Sequence, residues 1–373
     1  MWDENSNSYL FNKVAILGTG LMGGSLGMAI RERRMAREVW GFSRSSTSLR
    51  LAQEKGALDV ATNQLEEAVG AADLVVLAVP VKFCETLVAR SAESLTRGCL
   101  VTDVGSTKSY LEEKIPPLLP EGIYYIGGHP MTGSEESGVK AADPTLWENA
   151  IYVLTPSQKI PYYYRENLQS LVEGIGAQPL IMSPEEHDSI VSLVSHLPHL
   201  VAVALVKAAA TRNQDELIRT LAAGGFRDTT RIAMGNTEMW KDICCTNRKA
   251  ILECLQLFKG ALEEIKIAVE KEQENNLETL LEEARDYRQG IPYRARSIFP
   301  EIFELVVLVK DTPGAIGKIT TALGENQLNI SEIEILHVRE EEGGSIKLGF
   351  RNEKERIQSL ELLKRLGYRV HKR

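Results

Sequence analysis

Gly18-Thr19-Gly20-Leu21-Met22-Gly23 follows a short apolar run, residues 14–17, and opens a stretch of helical spacing, residues 24–34. Strand, glycine turn and helix in that order make a cradle for a dinucleotide pyrophosphate. Gly18 allows the tight turn, Gly20 lets the phosphates approach the backbone, and Gly23 lets helix and strand pack closely. The helix start, with Leu21 and Met22, then turns its positive dipole end toward the phosphates. Further along, Leu77-Ala78-Val79-Pro80 reads as the end of a later strand, which puts Val79 and Pro80 beside the cofactor.

The end of the second strand, residues 38–42, departs from this pattern. NAD enzymes commonly place Asp or Glu there to hold the ribose hydroxyls. Here the strand runs into Ser43-Arg44-Ser45-Ser46 with no acid. Ser43, Arg44 and Ser45 suit a 2′-phosphate, which taken alone favours NADP. With Arg44 stacked on adenine or facing solvent, NAD binds through other contacts.

Working outward, β-rich runs recur at residues 74–79, 100–103, 124–127, 150–154 and 178–182, separated by helical stretches. Near-continuous apolar strands alternating with helices indicate a parallel sheet covered on both faces. Residues 1–182 are therefore expected to form an α/β, Rossmann-type doubly wound domain. Ser183-Pro-Glu-Glu is a helix start, with a capping serine, a first-position proline and acids that suit the dipole. Helical periodicity continues from there, and residues 247–286 read as one long charged, periodic stretch. Residues 183–296 are expected to be an all-helical domain for substrate binding and dimerisation, since long amphipathic helices often bury a face against a second subunit. After a linker at residues 289–299, strands at 301–310, 328–340, 345–351 and 368–372 and helices at 313–325 and 353–366 follow, with a hairpin turn at 341–344. That order, βαββαβ, is ferredoxin-like and defines a third domain, 297–373.

The 373 residues suffice for two or three domains, and 43% hydrophobic with 25% charged content is ordinary for a globular protein. A net charge of -8 disfavours nucleic acid and anionic membrane as partners, but a locally basic pocket for a small anion remains possible. The five cysteines, Cys84, Cys99, Cys244, Cys245 and Cys254, are odd in number, scattered and without CxxC, which argues against disulfides and zinc. The vicinal pair Cys244–Cys245 reads as buried helix cysteines. No window approaches the roughly 20 apolar residues of a membrane span. Residues 1–12 lack an apolar signal core, so the expected location is the cytoplasm.

Four further stretches, in order, are Thr102-Asp-Val-Gly-Ser-Thr-Lys108, Gly127-Gly-His-Pro-Met-Thr-Gly-Ser-Glu135, Val194-Ser-His-Leu-Pro-His199 and Gly224-Gly-Phe-Arg-Asp-Thr-Thr-Arg-Ile-Ala233. Read together they resemble the prephenate and arogenate dehydrogenase family over residues 13–280. Lys310-Asp-Thr-Pro-Gly-Ala-Ile-Gly317 looks like the start of an ACT domain. The resemblance implies oxidation of prephenate at C4, with hydride passing to NAD and the ring carboxylate leaving as CO2.

On that resemblance His129 is the base that takes the 4-hydroxyl proton, placed in a loop after a strand end. Ser106 bonds the hydroxyl or orients His129, or instead caps the helix that follows. Arg231 is a bidentate carboxylate clamp, with Asp228 three residues earlier on the same helical face as a possible ion-pair partner. His199, more than His196, lies near the substrate, and Ser134, Glu135 and Trp240 are second-tier contacts. The HxxH pair lacks a third ligand, so no metal is expected.

In the ACT-like segment Gly314 and Ala315 at a helix start, Asp311 before it and Asn329 on the following strand are expected to hold a free amino acid. L-Tyrosine, the end product, is the expected inhibitor and a homodimer the expected assembly. The alternatives are arogenate as substrate, a β-hydroxyacid dehydrogenase of the 6-phosphogluconate type, disfavoured for want of its lysine motif, and a non-catalytic amino-acid sensor.

Overall fold

The computed structural model describes residues 9–133, 136–211, 215–291, 303–309, 312–339 and 343–372. It divides into two compact units, Met1–Ile291 and Pro292–Arg373.

Eight strands of the first unit share one sheet: β1 (Phe11–Leu17), β2 (Ala36–Phe42), β3 (Val60–Thr62), β4 (Leu74–Leu77), β5 (Leu100–Asp103), β6 (Tyr124–Pro130), β7 (Ile151–Pro156) and β8 (Gln178–Ile181). Their spatial order is β3-β2-β1-β4-β5-β6-β7-β8. Between them lie α1 (Leu21–Glu32), α2 (Ser46–Glu54), α3 (Leu65–Val69), α4 (Val81–Ser91), α5 (Ser109–Lys114) and α6 (Tyr162–Gly174). The period-2 alternation of a strand explains the two cores. Val14 and Ile16 of β1 join Leu26 and Ile30 of α1 and Leu168 of α6 on one face. Ala15 and Leu17 join Val88 of α4 and Leu111 of α5 on the other. Each such large side chain contributes about 1.5–3 kcal/mol on burial.

One strand went unread in the sequence and one expectation is corrected. The short edge strand β3 was not legible as a strand, having only three residues. The sheet is not wholly parallel either, because β6 and β7 run antiparallel, with Gly127 opposite Thr155 and His129 opposite Val153. The described part of their connection carries only the short turns Val139–Ala141 and Pro144–Trp147. A parallel pair needs a crossover, usually a full helix, and an antiparallel pair does not.

The helical part comprises α7 (Pro184–Val191), α8 (Leu197–Ala210), α9 (Asp215–Leu221), α10 (Gly224–Thr230), α11 (Thr237–Thr246), α12 (Arg248–Glu270) and α13 (Glu274–Gly290). Ser183 caps α7 as its sequence foretold, its Oγ accepting the Glu186 N–H at 3.1 Å. A π turn, Ser192–His196, joins α7 to α8 just before Pro198. Proline lacks the N–H for the carbonyl four residues back and its ring presses on that carbonyl, and the wider turn relieves both. The joined helix, Pro184–Ala210, has a window of mean hydropathy 1.9 and is long and apolar enough to cross a membrane by length and composition. That corrects the expectation that no such window exists.

The long periodic stretch is two helices: Glu272 adopts φ +49°, a left-handed value, between α12 and α13, which touch each other. α12 exposes Leu252, Leu257, Leu262, Ile265 and Val269, and the α7–α8 helix exposes Ile190, Leu193 and Val194. Cys84, Cys99 and Cys254 are buried, but Cys244 is half-buried and Cys245 exposed, against the expectation of a buried pair.

The second unit contains β9 (Phe303–Val309), α14 (Ala315–Glu325), β10 (Glu332–Arg339), β11 (Gly343–Phe350), α15 (Glu353–Arg365) and β12 (Arg369–Lys372). Its antiparallel sheet has the order β10-β11-β9-β12, the expected βαββαβ topology. Leu305, Val307, Ile346, Leu348 and Phe350 meet Ile319, Leu323 and Leu363 of the helices in one core. Asn329 is not on β10 but in the exposed connection before it. Asp311 and the turn residues 341–342 lie outside the described residues.

Candidate active site

The glycine turn has the geometry its sequence demands. Gly18 adopts φ +108°, and a Cβ there would meet the Ala78 carbonyl oxygen at 2.3 Å and Val79 at 2.8 Å. A Cβ on Gly23 would sit 1.9 Å from the Gly18 carbonyl oxygen. At Gly20 a Cβ would meet nothing within 4 Å, so the space over the start of α1 is open. Gly20 gives α1 no side-chain cap, and its first turn holds no acid. An open, uncapped N-terminus beside Val79 fits a dinucleotide pyrophosphate. Pro80 is the N-cap of α4. Ser45 is already engaged, its Oγ accepting the Ser48 N–H at the start of α2, and Ser43 Oγ accepts the Ser45 N–H. The Arg44 guanidinium lies 5.8 Å from the centroid of the half-exposed Phe83 ring.

His129 lies inside β6 rather than in a loop after it, and is 9% exposed. Its backbone is fixed by a buried ion pair. The Asp103 carboxylate accepts bonds from Lys108 Nζ, Gly105 N, Gly128 N and the Tyr125 hydroxyl. Lys108 Nζ also donates to the Gly128 carbonyl at 2.6 Å, and both charged side chains are fully buried. Strands β5 and β6 are thereby tied together immediately before His129. Ser106 is half-buried in the loop after β5. It does not cap α5: the N–H groups of Lys108 and Ser109 go instead to the Asp188 carboxylate, at 2.8 and 2.9 Å.

Asp188 and its neighbour His187 come from α7. His187 Nδ1 is 2.8 Å from Asp188 Oδ1, and His187 Nε2 is 2.7 Å from His129 Nδ1. Asn247, between α11 and α12, donates to the Asp188 carbonyl at 2.8 Å and bonds His196 Nδ1 at 3.2 Å. His199 stacks on Trp240 at 3.5 Å between centroids, while His196 meets the same ring edge-on. Gly235 permits this packing, because a Cβ there would lie 2.5 Å from Trp240 Nε1. Among the described residues, His196 Nε2 and His199 Nδ1 are buried without a hydrogen-bond partner.

Arg231 is exposed and begins the 3-10 turn Arg231–Met234, after α10 rather than within it. That turn packs on α8, which carries His199. Asp228, also exposed, is on α10. Ser134 and Glu135 lie outside the described residues. Among the described residues no cluster of His, Cys, Asp and Glu suits a metal. Asp103, Lys108, His187 and Asp188 were not singled out in advance. The first two sit within a quoted motif, whereas nothing local shows that His187 folds onto a residue 58 positions away.

Burial, the nearby His187 and the Lys108 charge push His129 well below the usual histidine range. Burial likewise pushes His196 down to about 4. Both are neutral at pH 7, while the unfolded chain binds protons on them below about pH 6.5. The unfolding free energy should therefore fall as pH drops below 6.5, by up to roughly 1.4 kcal/mol per unit for each histidine. For His196 the loss ends near pH 4. Thermal melts at pH 7.0, 6.0 and 5.0 check this, and an unchanged Tm would contradict it.

The glycine turn, Val79 and Ser106 follow β1, β4 and β5, and His129 lies near the end of β6; the four strands are adjacent. Ligands of open α/β sheets bind at the carboxyl ends of the strands, so the fold defines a nucleotide-binding protein of the Rossmann class. The family models for the prephenate dehydrogenase nucleotide-binding domain, the prephenate dehydrogenase dimerization domain and the ACT domain match residues 26–181, 183–283 and 303–361. The prephenate dehydrogenase of Bacillus subtilis (strain 168) is 36% identical over 345 residues, 92% of this chain and 93% of that protein. The crystal structure of prephenate dehydrogenase from A. aeolicus in complex with hydroxyphenyl propionate and NAD+ superposes with a TM-score of 0.71 at 31% identity, covering 75% of this chain and 98% of that one. Synechocystis arogenate dehydrogenase gives a TM-score of 0.66 at 31% identity, over 74% and 99% of the two chains. The chain belongs to the prephenate dehydrogenase family.

Proposed function

We propose that the chain is an NAD-dependent prephenate dehydrogenase that converts prephenate to 4-hydroxyphenylpyruvate in L-tyrosine biosynthesis in the cytoplasm. In this reading residues 1–182 hold the cofactor, 183–296 complete the substrate site and the dimer, and 297–373 regulate. The observation that carries it is His129, buried, neutral and one strand from Ser106 in a chain of this family. A neutral imidazole at pH 7 can accept a proton, which a charged one cannot.

Gly18, Gly20, Leu21, Met22, Gly23, Val79 and Pro80 hold the dinucleotide, with Ser43 and Arg44 at its adenosine end. Bound there, the nicotinamide ring supplies the hydride acceptor. His129 takes the 4-hydroxyl proton as the C4 hydride leaves, and Ser106 orients that hydroxyl. The C–CO2 bond then breaks, and its electron pair restores the aromatic ring. Arg231 clamps a substrate carboxylate, with Asp228 orienting it, while His199 and Trp240 form a wall beside it. Ser134 and Glu135 remain substrate contacts in this proposal.

Steady-state rates with prephenate and arogenate, each with NAD and NADP, test the reading. The expected result is the largest kcat/KM for prephenate with NAD. A preference for arogenate would reassign the substrate, and no reduced cofactor from either would refute the enzyme. Arg231→Ala should raise KM for prephenate with a smaller loss of kcat, as expected for an interaction made with bound substrate.

The apolar side chains exposed on the α7–α8 helix and on α12 would be covered in a homodimer built by the helical part. A monomeric mass at micromolar concentration would exclude it. L-Tyrosine should inhibit through the ACT domain. There Gly314, at φ +83°, precedes the uncapped start of α14 at Ala315, with Asp311 and Asn329 as further contacts. Cutting the chain near Ser297 should leave an active enzyme that tyrosine no longer inhibits. Unchanged, competitive inhibition would place tyrosine at the active site instead.

A further inference from the structure

The reaction needs His129 to present a bare ring nitrogen to the substrate, and an imidazole has two. The hydrogen bonds around it select which one. The Asp188 carboxylate receives the N–H groups of Lys108 and Ser109 and faces His187 Nδ1. Burial alone would push its pKa up, but these donors outweigh that and hold it below the usual range, so it is ionised. An ionised carboxylate only accepts, so His187 Nδ1 must carry a proton. In a neutral His187, Nε2 is then an acceptor. His129 Nδ1, 2.7 Å away, must be the donor. Its own Nε2 is left with a lone pair.

We propose that Asp188 and His187 act as a relay that fixes His129 in the Nδ1–H tautomer and shares the proton His129 takes up; this rests on His129 being the base in the function proposed above. When His129 Nε2 accepts the hydroxyl proton, the ring becomes an imidazolium. Its Nδ1 proton can then shift along the 2.7 Å bond to His187 Nε2. His187 becomes the cation, held directly against the Asp188 carboxylate, and His129 returns to neutrality. One proton enters the pair, none is created, and no electrons change hands. This arrangement resolves a difficulty of burial. A lone buried histidine is a poor proton acceptor, because desolvation disfavours its charged form. Lys108 does not relieve that, being cationic, and its own charge is matched by Asp103. Among the described residues, Asp188 is the carboxylate paired with a histidine of the cluster. His187 is thus a positioning residue: it touches His129 and has no required contact with substrate.

The test has a substrate-free and a kinetic arm. In full-length protein with 15N-labelled histidine, NMR at pH 7.5 should show His129 with a protonated Nδ1 and a bare Nε2. The opposite tautomer overturns the relay, whatever the substrate proves to be. His187→Leu, close in size and unable to accept a hydrogen bond, should lower kcat by about 10²-fold, the low end of what removing a general base costs. KM for prephenate and for the cofactor should stay within about twofold, because no substrate contact is lost. His187→Gln offers a carbonyl to His129 and an amide N–H to Asp188. It should restore the Nδ1–H tautomer and recover roughly tenfold of the lost kcat, but not the charge uptake. A His187→Leu enzyme with near-normal kcat overturns the relay. If that variant does not fold, the tautomer in the parent protein and the kcat of His187→Gln decide. A parent protein with the expected tautomer but no reduced cofactor from prephenate refutes the function and with it the proton sharing, and leaves only the fixing of the tautomer by Asp188 and His187.

Discussion

Replacing His129 with Asn should leave the fold and cofactor binding intact and lower kcat by roughly 10²–10⁴, the range associated with loss of a general base. The asparagine amide can still bond His187 from within β6, so the strand pairing with β7 at Val153 needs no rearrangement. Only the acceptor nitrogen aimed at the substrate is lost. KM for the cofactor should be unchanged, because the glycine turn belongs to β1 and α1 and does not involve His129. A variant retaining more than about a tenth of the parent kcat would remove His129 from the proton transfer, since even the weakest general base contributes more than that.

Lys108→Met should strongly destabilise the sheet domain. The Lys108 ammonium and Asp103 carboxylate are both fully buried, so removing one leaves the other charged and without its counter-ion. Breaking such a pair costs about 3–5 kcal/mol. For a unit spanning Met1–Ile291 that corresponds to a Tm lower by roughly 5–8 °C. The loss should reach the chemistry as well, since Lys108 Nζ also holds the Gly128 carbonyl next to His129. The double variant Asp103→Asn, Lys108→Met removes both charges and should recover part of the lost stability. A single variant whose Tm lies within about 2 °C of the parent would show that the pair contributes little to folding, contrary to the expected cost of an unpaired buried charge.

The prediction for His129 was available from sequence, and the one for Lys108 was not. His129 stood in a motif whose chemistry named it, although its expected loop proved to be a strand. Lys108 closed another quoted motif but was not singled out there. Its burial depends on β5 and β6 being neighbours and on Asp103 facing it from the strand end. The same contrast separates the two helical readings. Ser183 announced the start of α7 through local capping chemistry, and the structure has that bond. The break at Glu272 gave no signal, because a charged periodic sequence continues through it and a left-handed φ there requires no glycine.

Local rules therefore determined what local forces control. The glycine turn, the alternating strands, the helix starts and the order of the second unit follow from backbone sterics, side-chain periodicity and capping, each acting over a few residues. Tertiary structure alone decided the antiparallel β6–β7 pair, the burial of Asp103 with Lys108, and the line from Asp188 through His187 to His129. The last of these bonds residues 58 positions apart. Their energies come from excluding water around paired polar groups, which exists only after the sheet and the α7 helix have packed.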